Sequence, residues 1–404
     1  MHASRRASIT TVVMVSAMTA AMPHRAHAAA DGDMFAYNRA LGRGINMGNA
    51  LEAPAQQSWG VELRAEYFAL IAAAGFTSVR LPVRWSDHAA TSAPYTIHAE
   101  FFRTVDTVLG WALSNKLHVV LNMHHYHELS EHPGAHRTRF LALWKQIVSH
   151  YRGAPDRVCF EVLNEPCRAM TAALWNELIP EAIQIIRATN PRRPLIIGPV
   201  EWNSMAALPQ LVLPENDRRL IATVHYYNPF AFTHQGAEWV EHMQDTRGIA
   251  WQGTSNEQAA VQADFLRVAE WARTHKRPVY MGEFGAYDKA DMASRARWAA
   301  YVAREAERHG MSWAYWEFCA GFGVYDRAAA RWRTELLHAL MPAGSAGGPT
   351  MMKSLCMTRR RLIPLPSAMN VFSAAGEWTS RTSASPFFPM VMAWPDPTAM
   401  VLTK

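Results

Sequence analysis

Eight short apolar runs alternate with longer segments of helical period between residue 44 and about residue 340, and this beat constrains the fold more than any other feature of the chain. The runs are "GINMGNAL" (44–51), "TSVRLPV" (77–83), "HVVLNMHH" (118–125), "VCFEVLNE" (158–165), "LIIGPVEW" (195–202), "IATVHYY" (221–227), "PVYMGEFG" (278–285) and "SWAYWEF" (312–318). Between them lie segments such as "AEFFRTVDTVLGWALSNK" (99–116) and "NEQAAVQADFLRVAEWARTHK" (256–276), whose apolar residues recur every three or four positions. Strands that are apolar almost throughout belong to a parallel sheet covered on both faces. Eight such strand and helix units, joined by right-handed crossovers, close into an α/β fold, the single-domain (β/α)8 TIM barrel. An open doubly wound sheet is the alternative, but no glycine-rich phosphate loop follows any of the strands. Trp111, Trp144, Trp271 and Trp298 fall on amphipathic helices and are assigned to the core.

The flanks read differently. Residues 1–28 have the form of an export signal: Arg5 and Arg6 open it, "ASITTVVMVSAMTAAM" is the apolar run, and "AHA" at 26–28 is the small-x-small pattern that places cleavage after Ala28. The run is short for a membrane span and carries several Ser and Thr, so no stable membrane anchor is expected once the signal is removed, and the protein is expected to be secreted or periplasmic. Ser4, Arg5 and Arg6 also resemble the opening of a twin-arginine signal, which leaves the export route open. The barrel is assigned to residues 29–341. Residues 342–404 begin with the linker composition "PAGSAGGPT" and then show neither strand alternation nor a helical stripe, so they are expected to be a disordered extension.

The formal net charge of +6 does not mark a nucleic-acid partner. The first 28 residues carry three arginines and no acid, and the segment after 350 has a net +4, which leaves the body of the chain at −1. Four cysteines, Cys159, Cys167, Cys319 and Cys356, are too few and too scattered for a disulfide framework or a CxxC metal site, and are read as free, mostly buried thiols. The 15 tryptophans are more telling, because a flat aromatic face stacks on sugars or bases.

In a (β/α)8 barrel the C-terminal strand ends gather around one mouth, where active sites are built. Here nearly every strand delivers a polar residue there: Asn46, Arg80 and Arg84, His124 and His125, Asn164 beside Glu165, His225 and Tyr227, Glu283, and Trp316. Glu165 and Glu283 each follow an apolar strand and precede Pro166 or Gly285, a placement a structural ion pair would not explain. Two carboxylates facing one another across a mouth are equipment for glycosidic bond cleavage, one protonating the departing oxygen while the other attacks the anomeric carbon or activates water. Arg80 is the cation placed to keep Glu283 ionised, Tyr227 can donate to the same carboxylate, and His225 with Asn164 can position Glu165 or sugar hydroxyls.

The motifs "VRLPVRW", "NMHHY", "LNEP", "HYYNPF", "GEFG" and "WAYWEF", in this order, resemble glycoside hydrolase family 5 over roughly residues 35–340. "GRGINMGNALEAP", "EWVEH" and "YWEFCAGFGVYD" are similar to its bacterial branch of endo-acting β-1,4-glucanases, some of which also accept mannan or glucomannan. The resemblance implies a retaining, monomeric enzyme that needs no metal and no cofactor and takes a β-1,4-linked polysaccharide. It makes Glu165 the acid/base and Glu283 the nucleophile, supported by Arg80, His124, Asn164, His225, Tyr227 and Trp316. It further implies Trp202, Trp239, Trp316 and Phe322 as sugar platforms, with Asn46, His125, His234 and Glu317 as hydrogen-bonding partners. Cys167, after "NEP", stands where relatives tend to carry a histidine.

Three other readings compete for these residues. "HHYHE" (124–128) is a conceivable zinc cluster, yet its spacing lacks the helical i, i+4 pattern of HExxH, and His127 is read as structural. Arg84 and Glu161 are expected to pair inside the barrel, as buried charges must. A catalytically silent carbohydrate-binding protein on the same scaffold would have no use for two opposed glutamates with their own supports. Glucan and mannan differ in the orientation of one hydroxyl, so the mannanase reading stays open beside the glucanase one.

Overall fold

The computed structural model describes residues 33–342. The expected signal with its cleavage site, Cys356, and all but the first residue of the 342–404 segment lie outside the described residues.

Eight parallel strands form a closed barrel in chain order, with the first hydrogen-bonded to the last: β1 Arg43–Asn46, β2 Ser78–Leu81, β3 His118–Asn122, β4 Val158–Glu161, β5 Leu195–Ile197, β6 Leu220–Tyr226, β7 Val279–Phe284 and β8 Ser312–Tyr315. Most are shorter than their apolar runs. The ladder from β4 to β5 contains only Phe160↔Leu195 and Glu161↔Ile196 before Gly198 and Pro199 end β5. Val162, Leu163, Asn164 and Glu165 therefore belong to the loop beyond β4, although the run through them is apolar enough to read as strand.

Helices cover the outside as the periodicity predicts. Ala99–Ser114 buries Phe101, Val105, Val108, Leu109 and Ala112, residues spaced by three and four. Ser255–His275 starts at a full capping box, in which Thr254 and Glu257 satisfy each other's backbone N–H groups, and ends at Lys276 in the left-handed conformation. Trp144, Trp271 and Trp298 are buried, as assigned, and Trp111 packs partly buried against the same core. The crossover from β5 to β6 departs from the pattern. It holds only the turn Val200–Asn203 and the short 3-10 helix Leu208–Gln210, because Pro209 and Pro214 deny a longer helix its internal N–H donors.

Inside the barrel, strand alternation stacks side chains in layers. Val120, Cys159, Ile196, Ile221, Tyr280 and Ala314 form an apolar layer, closed by Met34 and Leu41 of the helix Met34–Leu41. Asn38 of that helix donates to the carbonyl of Val279 and accepts from Ser312, which fastens it across the N-terminal ends of β7 and β8. Two residues further along the strands, at the positions of Asn46, Arg80, Asn122 and Glu161, the interior turns polar. The polar layer is the floor of the mouth. Cys159, Cys167 and Cys319 are free and buried.

Candidate active site

Arg80 organises this floor. Its guanidinium is wholly buried, and all five of its N–H groups are used. Nε and Nη2 donate to the two oxygens of Glu161 at 2.6 and 2.8 Å, Nη1 to Asn46 Oδ1 at 2.8 Å and Glu283 Oε1 at 2.6 Å, and Nη2 to Asn164 Oδ1 at 2.6 Å. The expected pairing of Arg84 with Glu161 is corrected here. Arg80 shares a barrel layer with Glu161, whereas Arg84 lies beyond β2 and faces Asp87, its Nε 3.0 Å from Oδ2.

Glu283, in β7 and 5 % exposed, is held on both oxygens, Oε1 by Arg80 and Oε2 by the Tyr227 hydroxyl at 2.9 Å. Glu165, with 18 % of its side chain exposed, is held differently: His225 Nδ1 lies 2.8 Å from Oε1. One oxygen of each glutamate and a ring nitrogen of His225 all lie within 4.8 Å of one another. Among the described residues this is the grouping of His, Cys, Asp and Glu donors tight enough for a metal ion, and "HHYHE" forms none. Arg80 stands on Glu283 as its cation and on Glu161 as well, so one guanidinium serves both carboxylates.

Burial raises the pKa of both carboxyls. It pushes Glu165 up to about 8 against the pull of Arg80, so this group keeps a proton at neutral pH. Glu283 is also raised by burial, although His225, Arg80 and the Tyr227 hydroxyl pull it back. Arg80 and Tyr227 both pull on Glu283 in the direction expected of them, and desolvation on the barrel floor outweighs that pull. Burial pushes His225 down to about 4, so its contact with Glu165 is a hydrogen bond to a neutral ring.

Around the two glutamates, the polar and aromatic residues divide into those lining the mouth and those beneath it. Trp316 is partly exposed and lies parallel to His124, with ring centroids 5.8 Å apart. His124 Nδ1 faces the Asn122 side-chain amide at 2.9 Å. His125 is partly exposed and meets Trp59 edge-on at 5.5 Å. Trp202 and Trp239 are partly exposed on the loops after β5 and β6. His234 is buried between Phe230, stacked at 4.1 Å, and Tyr227, edge-on at 4.9 Å.

Besides His234, three further residues read as sugar contacts lie beneath the surface. Asn46 is 0 % exposed, with its Nδ2 within hydrogen-bond reach of the Gly282, Ala314 and Tyr315 carbonyls and its Oδ1 on Arg80, so it seams β1 to β7 and β8. Glu317 is also 0 % exposed, and its carboxylate accepts the backbone N–H groups of Cys319, Ala320 and Phe322, which folds the loop after β8. Phe322 is buried behind Tyr227, Trp239 and Tyr287 and backs the wall. The family resemblance implied these contacts, and in the closed barrel the side chains are covered.

Trp59, Tyr287 and Asn203 are residues of this region that sequence reasoning did not name, and Glu161 was placed inside the barrel with the wrong partner. Parity along β2 and β4 would have paired Arg80 with Glu161, whereas the others sit on loops with no periodic signal. Gly285 shows why "GEFG" ends in glycine, since a Cβ there would lie 2.2 Å from the Trp316 carbonyl oxygen.

Comparison with known proteins agrees with this geometry. The cellulase family, glycosyl hydrolase family 5, matches residues 42–321. Endoglucanase H of Acetivibrio thermocellus is 34 % identical over 319 residues, which cover 78 % of this chain and 34 % of that protein, so the chain spans about a third of that relative's length. Structures of Thermotoga maritima Cel5A in complex with mannotriose and with cellobiose are each 49 % identical, covering 76 % of this chain and 100 % of theirs with a TM-score of 0.75. With two glutamates at the mouth of an eight-stranded barrel and a family match across most of that barrel, the chain belongs to the cellulase family, glycosyl hydrolase family 5.

Proposed function

We propose that the protein is a retaining endo-β-1,4-glucanase, with Glu283 as nucleophile and Glu165 as acid/base. The observation that carries this reading is the spacing and unequal holding of the two carboxyls. Retaining enzymes place them about 5 to 5.5 Å apart and inverting enzymes about 6.5 to 9.5 Å apart, to admit a water. Nearest oxygens within 4.8 Å favour direct attack. In the first step a Glu283 oxygen bonds to the anomeric carbon as the glycosidic C–O bond breaks, and the Glu165 proton passes to the departing oxygen. In the second, Glu165 takes a proton from water, whose oxygen displaces Glu283 from the sugar. Glu165, protonated up to about pH 8, suits the first role, and Glu283, held by Arg80 and Tyr227, suits the attack.

Four partly exposed tryptophans, Trp59, Trp202, Trp239 and Trp316, offer flat faces for a run of sugar units, which supports endo action on glucan. Mannan or glucomannan is the second reading, favoured by the mannotriose complex of Cel5A. The proposed polypeptide is an exported monomer with one barrel domain, its signal cleaved after Ala28 and its tail outside the catalytic unit. No described helix is long and apolar enough to cross a membrane.

The test is the product profile over time on carboxymethylcellulose, barley glucan, glucomannan and mannan, with Glu283→Gln run beside the native protein. Mixed short oligosaccharides from glucans, absent with the variant, are expected. Products from mannan substrates alone would move the assignment to mannanase, and equal turnover by Glu283→Gln would remove the two-glutamate mechanism. Activity should survive EDTA, and loss restored by zinc would contradict it. Mass spectrometry of the exported protein should find Ala29 at its N-terminus.

A further inference from the structure

Glu165 takes its position from a histidine that is itself held from behind. His225 presents Nδ1 to Glu165 Oε1 at 2.8 Å, and its other ring nitrogen, Nε2, lies 3.2 Å from the side-chain nitrogen Nδ2 of Asn203. Asn203 is 0 % exposed. With the amide nitrogen facing the ring, an orientation that leaves Asn203 Oδ1 buried without a hydrogen-bond partner, Nε2 is the ring's acceptor and the ring proton sits on Nδ1, aimed at Glu165.

We propose that Asn203 is a positioning residue for the acid/base: by holding His225 in the Nδ1–H form it makes Glu165 Oε1 a standing acceptor and leaves Oε2 to carry the catalytic proton. The proposal rests on the assignment of Glu165 as acid/base. In the opposite amide orientation Oδ1 would take a proton from Nε2, and Nδ1 would face Glu165 as an acceptor, drawing the carboxyl proton away from the glycosidic oxygen. Which tautomer is present therefore decides which oxygen of Glu165 is the acid.

The backbone supports a built arrangement. Ser204 pairs with His225 in an isolated parallel bridge beyond β5, which sets Asn203 next to the imidazole. Glu201, Trp202 and Asn203 are all left-handed, with φ of 57°, 58° and 57°. Asparagine tolerates that region, but a glutamate and a tryptophan do so at a cost, and such strain persists only where the surroundings impose it. Gly198 clears the space, since a Cβ there would lie 2.1 Å from Asn203 Oδ1. The turn thus sends Trp202 to the mouth and Asn203 to the back of His225.

Two experiments test this. In the native protein labelled with 15N, with the His225→Gln variant used to assign the signals, Nδ1 should appear protonated and Nε2 unprotonated; the reverse would overturn the proposal. In kinetics, Asn203→Asp keeps the shape and tolerates the left-handed backbone but replaces the donor with an acceptor. Its kcat/KM on soluble glucan should fall about ten- to a hundredfold, part of the 10²–10⁴ typical of general acid catalysis. On 2,4-dinitrophenyl β-cellobioside, whose leaving group departs without protonation, it should stay within about threefold of the native value. Asn203→Gly, also at ease with positive φ, should show the same split. Equal loss on both substrates would reduce Asn203 to a scaffold residue, and no loss on either would also overturn the proposal. Glu165→Ala serves as reference: if it too loses activity equally on both substrates, the acid/base assignment fails, which is distinguishable from failure of Asn203.

Discussion

Replacing Arg80 with lysine should separate the structural half of the barrel floor from its chemical half. Arg80 makes five hydrogen bonds at 2.6–2.8 Å to Glu161, Asn46, Glu283 and Asn164. An ammonium has three donors and no planar fork, so at least two of these bonds are lost. At about 1.5–3 kcal/mol for each bond to a charged group, the loss is about 3–6 kcal/mol. At about 2–4 °C per kcal/mol for a large domain, Arg80→Lys should unfold roughly 6–24 °C lower than the native protein by circular dichroism. Its kcat should also fall, since Glu283 loses the guanidinium on Oε1. The double variant Arg80→Lys/Glu161→Gln removes the carboxylate left without its bidentate partner and should regain part of the stability while leaving kcat low, a non-additive result for residues in one network. A single variant within about 1 kcal/mol of native stability would refute the five-bond account. So would a double variant no more stable than the single one.

Three further outcomes follow from the same geometry. Tyr227→Phe removes the hydroxyl on Glu283 Oε2 and should lower kcat about ten- to a hundredfold, the worth of one hydrogen bond to a charged group, with thermal unfolding nearly unchanged. The pH dependence of kcat/KM should be bell-shaped: activity declines as pH rises through about 8, where Glu165 loses its proton, and declines at low pH where Glu283 gains one, at a pH above that of an ordinary glutamate. In Glu165→Ala, assayed with a dinitrophenyl substrate, the alkaline limb should vanish while the acid limb remains. Gly285→Ala should destabilise the fold by about 1–3 kcal/mol and displace Trp316, visible as a loss of affinity for cello-oligosaccharides in calorimetry.

Much of the site was legible along the chain. The strand-and-helix beat implied a parallel barrel, a barrel implied one mouth, and Glu165, Glu283, Arg80, His225 and Tyr227 stood where strands reach it. These are local inferences, because period-two alternation and apolar runs depend on near neighbours and survive in any context that buries both faces of a sheet. Residues near strand ends are less determined. The family resemblance implied sugar contacts at Asn46, Glu317 and Phe322, and these side chains lie beneath the surface.

What only the tertiary structure decided is which side chains share a layer, how deep they lie and what that depth does to charge. Pairing of Asn122 with Glu161 and of Arg80 with Val120 placed Glu161 beside Arg80 and left Arg84 to Asp87. Asn203 reaches His225 across 22 residues through one bridge, a contact that no periodicity announces. Glu283 is raised although a guanidinium touches it, because barrel closure removes water from both. Sequence alone determined the order of strands and the kinds of groups delivered to the mouth, since both follow from local pattern. Burial, partner and proton belong to the closed barrel, since ring closure brings Arg80 and Glu283, 203 residues apart in the chain, into one desolvated layer.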